Sequence, residues 1–351
     1  MRSITASSRP RSKFSTSLRT VVTGLCLSTL VLAGQTAWAA KAHTHVQASS
    51  SKAIDFDAFN SATDSPLLRS GSKGPAVARA QILLDRAWFS VGEIDGRFAS
   101  DMQRIVKAYQ TARGLKVTGT VTQETWASLR EGSAPLLTRY AVTEKDLAGP
   151  FEATPVAMAE RAKMKALVYQ SVDEEMAERF HTSITYLKQL NSGAKIETGK
   201  ELVVPNVLEN TAPAKAASIE IDKSARVLYA LDSKQLPVAA FPISIGNETN
   251  DPLPLGTMAI KTEVKNPTFT YDPALIKTAP KDAQKVEIAP GPNNPVGSMW
   301  LGLSKPHWGI HGTPSPSNVG HSETNGCIHL TNWDVERLAT LVKVGSKVVV
   351  K

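Results

Sequence analysis

The sequence predicts a multidomain chain: a small all-α domain of three helices, an α+β middle segment and a mainly-β C-terminal domain. Three observations carry this. Between Ala76 and Leu129 apolar residues recur at helical spacing, turns such as Asp95-Gly96 and Thr118-Gly119 interrupt the runs, and from Ala217 onward the apolar period changes to two. At 351 residues, with 42% apolar and 21% charged content, the chain is ordinary globular material and long enough for two or three domains.

Residues 1–39 read as a signal peptide: a basic start, an apolar run from about Val21 to Ala33, and Ala37-Trp38-Ala39 as a small-X-small cleavage site. The Ser- and Arg-rich first nineteen residues share features with an organelle transit peptide, but the apolar run and cleavage site favour secretion. The run is too short to span a bilayer comfortably, so no transmembrane segment is expected after signal removal. The segment carries Arg2, Arg9, Arg11, Lys13 and Arg19 and no acid, so its loss lowers the formal charge of +8 by five to +3, which gives no case for nucleic acid. Cys26 leaves with it. The exported chain then has one cysteine, which cannot close an internal disulfide and is a liability in an oxidising compartment unless its reactivity is used.

Residues 40–65 read as a linker, polar and Ser/Ala-rich at first, with Ile54 to Phe59 as a short segment able to dock on the next domain. In residues 66–130, Ala76, Val77, Ala80 and Leu84 share one helix face, Met102, Ile105, Val106 and Tyr109 share another, and Thr125-Trp126 with Leu129 begins a third helix. The stretches LRSGSKGPAVARAQILL, DGRF and YQTARGLKVTGTVTQETWASL resemble a peptidoglycan-binding domain. Glycan binding here is what the resemblance implies, because Tyr109 and Trp126 read by themselves as core.

Residues 138–207 carry a weaker pattern. Asp173 is placed to cap a helix burying Met176, Ala177 and Phe180, Ser183 a second with Ile184, Leu187 and Leu190 inward, and Glu201 to Pro205 reads as an edge strand. The run SVDEEMAERFHTSITYLKQLNSGAKIETGKELVVPN resembles the helix-helix-strand half of a LysM module, with Tyr140-Ala141-Val142 as its first strand. Some thirty residues intervene where that family has few, which makes this a degenerate LysM-like module. A spacer packed between the other two domains fits equally well.

In residues 216–351, Ile219 and Ile221 alternate, Val227 to Leu231 and Val238 to Ile245 come next, and Met258 with Ile260 continues after a Pro-Leu-Gly turn. Asn332 is placed to cap one helix, in which Val335, Leu338 and Val342 share a face, before Gly345 ends it and Lys347 to Val350 forms a last strand.

Residues His307 to Asp334 hold four of the seven histidines and a cysteine flanked by glycine. A thiol nucleophile needs an imidazole to take its proton and backbone N–H groups to hold the oxyanion, and His311-Gly312-Thr313 with Cys327 supplies those types. Gly326, lacking a Cβ, can take angles that let a carbonyl approach the main-chain amides. His321 is nearer the cysteine in sequence but lies in a Gly/Ser loop, where a rim or substrate-facing place is expected. His307 and His311 have zinc-pair spacing only on a helix; Gly309 favours extended chain, where four positions span roughly 13 Å, so no metal is expected. Trp308 and Tyr271 either line the cleft or pack beneath it.

The letters His311-Gly312-Thr313, Gly320, Thr324, Gly326-Cys327-Ile328 and Leu330, with NPVG at 294–297 and WLGL at 300–303, resemble the L,D-transpeptidase catalytic domain. The resemblance extends over residues 216–351. It implies Cys327 as nucleophile, His311 as general base and Gly326 in the oxyanion-holding turn. Thr324, Asn325, Gly312, Trp308, His321 and His329 are placed on the substrate side. It further implies a thioester with a peptidoglycan tetrapeptide stem, resolved by an amine from another stem or from an envelope lipoprotein, without a cofactor, in the periplasm or cell envelope. The alternatives are an L,D-carboxypeptidase using the same thioester and a non-catalytic peptidoglycan-binding protein. One departure is chemical: His329 stands where the family usually has arginine, a titrating group in place of a permanent charge. A neighbouring thiolate would raise its pKa and burial would lower it; the sequence leaves that open.

Overall fold

The computed structural model describes residues 54–351, except 132–133, 209, 247–251, 276–278, 281 and 325. The expected signal peptide, Cys26, most of the expected linker and Asn325 lie outside the described residues.

After a short helical segment at Phe56–Ser61, Pro75 opens α1 (Pro75–Arg86) at the position where a missing N–H costs nothing. Helices α2 (Ser100–Ala112) and α3 (Gln123–Arg130) follow, the latter capped by Thr122, whose Oγ1 accepts from the Thr125 N–H at 3.3 Å. The predicted faces are the buried ones. Trp126 is fully buried and its indole N–H donates to the Pro66 carbonyl at 2.9 Å; Tyr109 is also buried and shares its hydroxyl with Ser128 at 2.8 Å. Both are core residues, as their helical spacing implied.

The middle segment pairs β1 (Leu137–Ala141) antiparallel with β2 (Glu201–Pro205), with α4 (Val172–Arg179) and α5 (Ile184–Leu190) between them in sequence. Val142, Met176, Ala177, Phe180, Leu187, Leu202 and Val204 form its core. Ser183 caps α5, but α4 is capped by Ser171, two residues before Asp173, because Ser171 Oγ is the atom within reach of the Glu174 N–H at 3.2 Å. Ile184 is exposed where an inward side chain was expected: it shares a face with Leu187 but is the first residue of α5, at the end of the helix. The long stretch between β1 and α4 runs onto the C-terminal region. The Leu167 N–H donates to the Pro290 carbonyl at 2.9 Å, and the Leu167 carbonyl accepts from Asn293 at 2.9 Å. A Cβ on Gly291 would collide with that carbonyl, so the contact requires glycine there.

The C-terminal region is mainly β. Strands β3 (Ser218–Asp222), β4 (Val227–Leu231) and β5 (Pro237–Pro242) lead to a short β6 (Ile245–Gly246) and the long β7 (Gly256–Lys265). Then come β8 (Met299–Leu303), β9 (Gly309–His311), β10 (Glu323–Thr324), β11 (Ile328–His329), helix α6 (Asn332–Leu341) and β12 (Lys347–Val350). They build an eight-stranded sheet in the order β11-β9-β8-β7-β12-β3-β4-β5, while β6 and β10 pair separately. The β12–β3 and β9–β11 pairs are parallel. Helix α6 packs its Val335, Leu338 and Leu341 into the sheet's apolar core. Its cap is Thr331, whose Oγ1 accepts from the Asp334 N–H at 3.2 Å; Asn332, expected as the cap, is one residue inside the helix and turns its amide inward.

The three regions are joined through shared interior. Trp88, just after α1, belongs to the core of the sheet, and Val227 and Ala240 from β4 and β5 belong to the core of the helices. Backbone continues the joint: the Ser90 N–H donates to the Ala240 carbonyl at 2.9 Å and the Ala240 N–H to the Trp88 carbonyl at 3.0 Å.

Candidate active site

Strands β9 and β11 run parallel with Ile310 opposite Ile328 and His311 opposite His329. Side chains alternate along a strand, so Ile310 and Ile328 fill the core while both histidines share the other face, their ring centroids 4.3 Å apart. Cys327 directly precedes β11. It lies in a bend two residues before His329.

His311 is buried, stacked against Trp300 with centroids 5.3 Å apart, and its Nδ1 lies 2.7 Å from the Gly312 carbonyl. A carbonyl oxygen can only accept, so Nδ1 carries the proton and Nε2 of the neutral ring is the basic nitrogen. Burial pushes its pKa down to about 4, against a smaller opposing effect of the Gly312 hydrogen bond. The ring is therefore neutral at pH 7. His329, half-buried at the surface of the same group, is also held well below the usual histidine range, by burial first and by His311 second. Burial is what wins at this position, so His329 itself is not a cation at pH 7.

Cys327 is half-buried, and its Sγ lies 3.6 Å from the His307 carbonyl. Gly326 before it has φ of 123°, backbone that a side chain would strain. Main-chain atoms of Thr324 lie in β10, paired with Gly246 of β6 beside the site. The His329 N–H and carbonyl exchange hydrogen bonds with Ser244 at 2.8 and 3.0 Å, which fixes the outer side of β11.

Three expected substrate-side residues are placed differently, and Tyr271, for which lining the cleft and packing beneath it were both open, is buried. Gly312 is enclosed: a Cβ there would collide with Asn332 Oδ1, and its carbonyl serves His311, so it positions the ring and offers no surface. Trp308 is buried in the sheet's core with the Lys305 ammonium 4.7 Å above its ring, so it packs beneath the site. His321 is exposed, but its Nε2 lies 3.4 Å from Asp101 of α2, which turns it toward the helical region. Among the described residues no three His, Cys, Asp or Glu side chains gather as a metal site.

Asn332 is the residue that sequence reasoning misplaced. Its Oδ1 accepts from the Ser298 N–H at 3.1 Å, and its Nδ2 donates to Glu178 Oε2 at 3.0 Å and to the Pro292 carbonyl at 3.1 Å. Thr331 immediately before it, an equally good cap, was the available signal.

The L,D-transpeptidase catalytic domain family matches residues 216–350, and a peptidoglycan binding domain family matches residues 73–129. A Bacillus licheniformis protein named as an L,D-transpeptidase, YkuD, is 30% identical over 179 residues, half of this chain and 90% of that one. The YkuD protein named likewise in Bacillus subtilis is 46% identical over 59 residues, 17% of this chain and 36% of that one. A crystal structure of the L,D-transpeptidase from Xylanimonas cellulosilytica aligns at 16% identity with a TM-score of 0.36, covering 83% of this chain and all of that one. The class is thus a peptidoglycan transpeptidase, an acyltransferase carrying a helical peptidoglycan-binding region. The chain belongs to the L,D-transpeptidase family.

Proposed function

We propose that the protein is an exported L,D-transpeptidase that forms a thioester between Cys327 and peptidoglycan tetrapeptide stems and passes the acyl group to an amine, in the periplasm or cell envelope. The observation that supports this best is the His311 ring, held by the Gly312 carbonyl at 2.7 Å so that its basic Nε2 is left for a thiol that directly precedes the adjoining parallel strand. Nothing in the pairing needs a preformed ion pair. A buried neutral imidazole takes the Cys327 proton as Sγ attacks the carbonyl joining an L-centre to a D-centre.

The S–C bond forms, backbone amides around Gly326 and Cys327 hold the oxyanion, and the C–N bond breaks as the His311 proton passes to the departing D-residue's amine. An acceptor amine then attacks the thioester. Its proton goes to His311, the new amide forms, and the proton returns to the departing thiolate. Gly326 supports this reading through its φ of 123°. Thr324 and Asn325 are proposed on the substrate side, and His329 as the group bordering the reacting carbonyl, a neutral hydrogen-bonding partner. The acceptor is a stem's side-chain amine or an envelope lipoprotein's lysine. Export is supported by residues 1–39, and no helix among the described residues is long and apolar enough to cross a membrane.

The test is intact-mass measurement of the mature protein with a soluble tetrapeptide stem, with and without an amine acceptor. An adduct lacking the terminal D-residue is expected on wild type and absent in Cys327→Ala, with crosslinked product when acceptor is present. Adduct formation in Cys327→Ala sinks the thioester, and hydrolysis unaffected by acceptor makes the protein a carboxypeptidase.

A further inference from the structure

The His311 Nδ1 is fixed by the Gly312 carbonyl, and that carbonyl's own position needs a cause. Gly312 and Gly297 pack back to back with no room between them: a Cβ on either would collide with Asn332 Oδ1, and one on Gly297 also with the Gly312 backbone. Gly297 has φ of 63°, so its conformation favours glycine as well. The Asn332 amide is therefore the wedge against which the His311-Gly312 backbone rests. Its bonds are directional: it accepts from Ser298 and donates to Glu178 in the interior, and donates to the partly buried Pro292 carbonyl.

Glu178 is the member of this line that does not come from the catalytic region. It lies in the last turn of α4, in the middle segment, and reaches α6 across 154 positions of sequence to accept from Asn332 Nδ2 at 3.0 Å. The wedge thus has one end in a different part of the chain. Placement to within a fraction of an ångström is what a general base requires, and a displacement of about 1 Å from a remote change can cost roughly a hundredfold in rate.

We propose that Glu178 is a positioning residue for His311, acting through Asn332 on the Gly312 carbonyl, so that the middle segment completes the catalytic geometry. The protonation of Glu178 fits this role. Burial, with Glu174, Glu93 and Glu336 nearby, raises its pKa to about 8 against the opposing Asn332 hydrogen bond. At neutrality it is a carboxylic acid that accepts through one oxygen and brings no charge toward His311. A glutamine offers the same acceptor.

The inference rests on His311 being the base, so its test has a readout that needs no turnover. In wild type, Glu178→Gln and Glu178→Ala, the imidazole ¹⁵N resonances of His311 report its tautomer, and kcat and KM for thioester formation are measured beside them. In wild type and Glu178→Gln a single Nδ1–H tautomer and kcat within about twofold of each other are expected. In Glu178→Ala the tautomer mixes and kcat falls on the order of tenfold with KM unchanged, the signature of a group lost only to the transition state. Asn332→Asp, which keeps the acceptor for Ser298 but removes both donors, is expected to match Glu178→Ala and serves where that variant does not fold. Wild-type His311 resonances and kcat in folded Glu178→Ala, or equal losses in Glu178→Gln and Glu178→Ala, overturn the proposal. If wild type forms no thioester the functional reading fails instead, while the resonance comparison still decides whether Glu178 orients the ring.

Discussion

Two histidines of this molecule are almost wholly buried and held through Nδ1, and they differ in what holds them. His181, after α4, lies 3.1 Å from Asp85 of α1 and stacks on Trp333 of α6 at 5.2 Å between ring centroids. Asp85 also accepts from Arg337 Nη2 at 2.9 Å. Burial would raise the Asp85 pKa, but Arg337 and His181 outweigh it and hold the carboxyl at about 2. In this junction a carboxylate, a guanidinium and an imidazole satisfy one another, and they tie together all three regions of the chain. His311 has no such partners. A backbone carbonyl orients it without neutralising anything, and its nearest ring, His329, is uncharged as well. Burial alone does not mark a histidine as structural or catalytic. Burial holds both rings below the usual histidine range, so the partner makes the difference: a carboxylate that is itself tied to Arg337 makes His181 a fastener, whereas a carbonyl that only aims His311 leaves Nε2 available for chemistry.

The sharpest way to break this comparison is to remove each ring. His311→Ala is expected to slow thioester formation per folded molecule by about 10²- to 10⁴-fold, since general-base contributions fall in that range. His181→Ala is expected to keep the rate per folded molecule within a fewfold and to cost roughly 1–3 kcal/mol, because it leaves part of the Asp85 carboxylate unsatisfied. Chemical denaturation and single-turnover rates on both variants check the pair, and an inactive but stable His181→Ala would reverse the roles.

A cut between the regions comes next. Tethering logic alone predicts that removing the helical region would spare chemistry on small soluble stems and weaken binding to intact sacculi. The shared core predicts otherwise. Deleting residues 54–130 strips Trp88 and the Ser90 to Asp334 hydrogen bond at 2.8 Å from the C-terminal region and leaves Arg337 without Asp85. Loss of cooperative unfolding and of soluble yield is expected, and a truncated chain that melts like the intact one would show the regions to be independent.

The pH profile tests the electrostatic half of the comparison. Thioester formation needs His311 neutral, and with its pKa near 4 that form dominates above pH 5 and is lost as pH falls through the folded value. The acid limb should have its midpoint nearer 4 than the roughly 6.5 of an unperturbed histidine. A midpoint at 6.5 would mean that the ring is solvated in the working enzyme.

The smallest effect is expected at His329. Because it is neutral across the physiological range, its titration does not shape the alkaline side of the profile. His329→Arg instead sets a permanent positive charge beside His311 and disfavours the imidazolium, so the acid limb should move lower still while the rate at pH 7 stays within about tenfold. Superimposable profiles at equal melting temperature would show that position 329 has no electrostatic contact with the base.

Much of this was legible along the chain. Helical and two-residue apolar periods located α1 to α3 and the strands from Ser218 onward, because burial of one face is a local property of spacing. The run from His311 to Leu330 carried the candidate site because a thiol, an imidazole and a glycine turn lie close in sequence as well as in space. What spacing leaves undecided is which neighbour a side chain meets. Thr331 and Asn332 are both competent caps, and only the closeness of Gly297 and Gly312 sends the Asn332 amide inward. Trp308 and His321 each had a place near the cleft open to them, and packing against the sheet core and pairing with Asp101 decided otherwise. Local sequence set the elements and the reactive letters. Contacts between residues far apart in sequence, such as Glu178 with Asn332 and Asp85 with Arg337, exist only once the three regions bury surface against each other, and they determine which histidine is aimed and which is tied down.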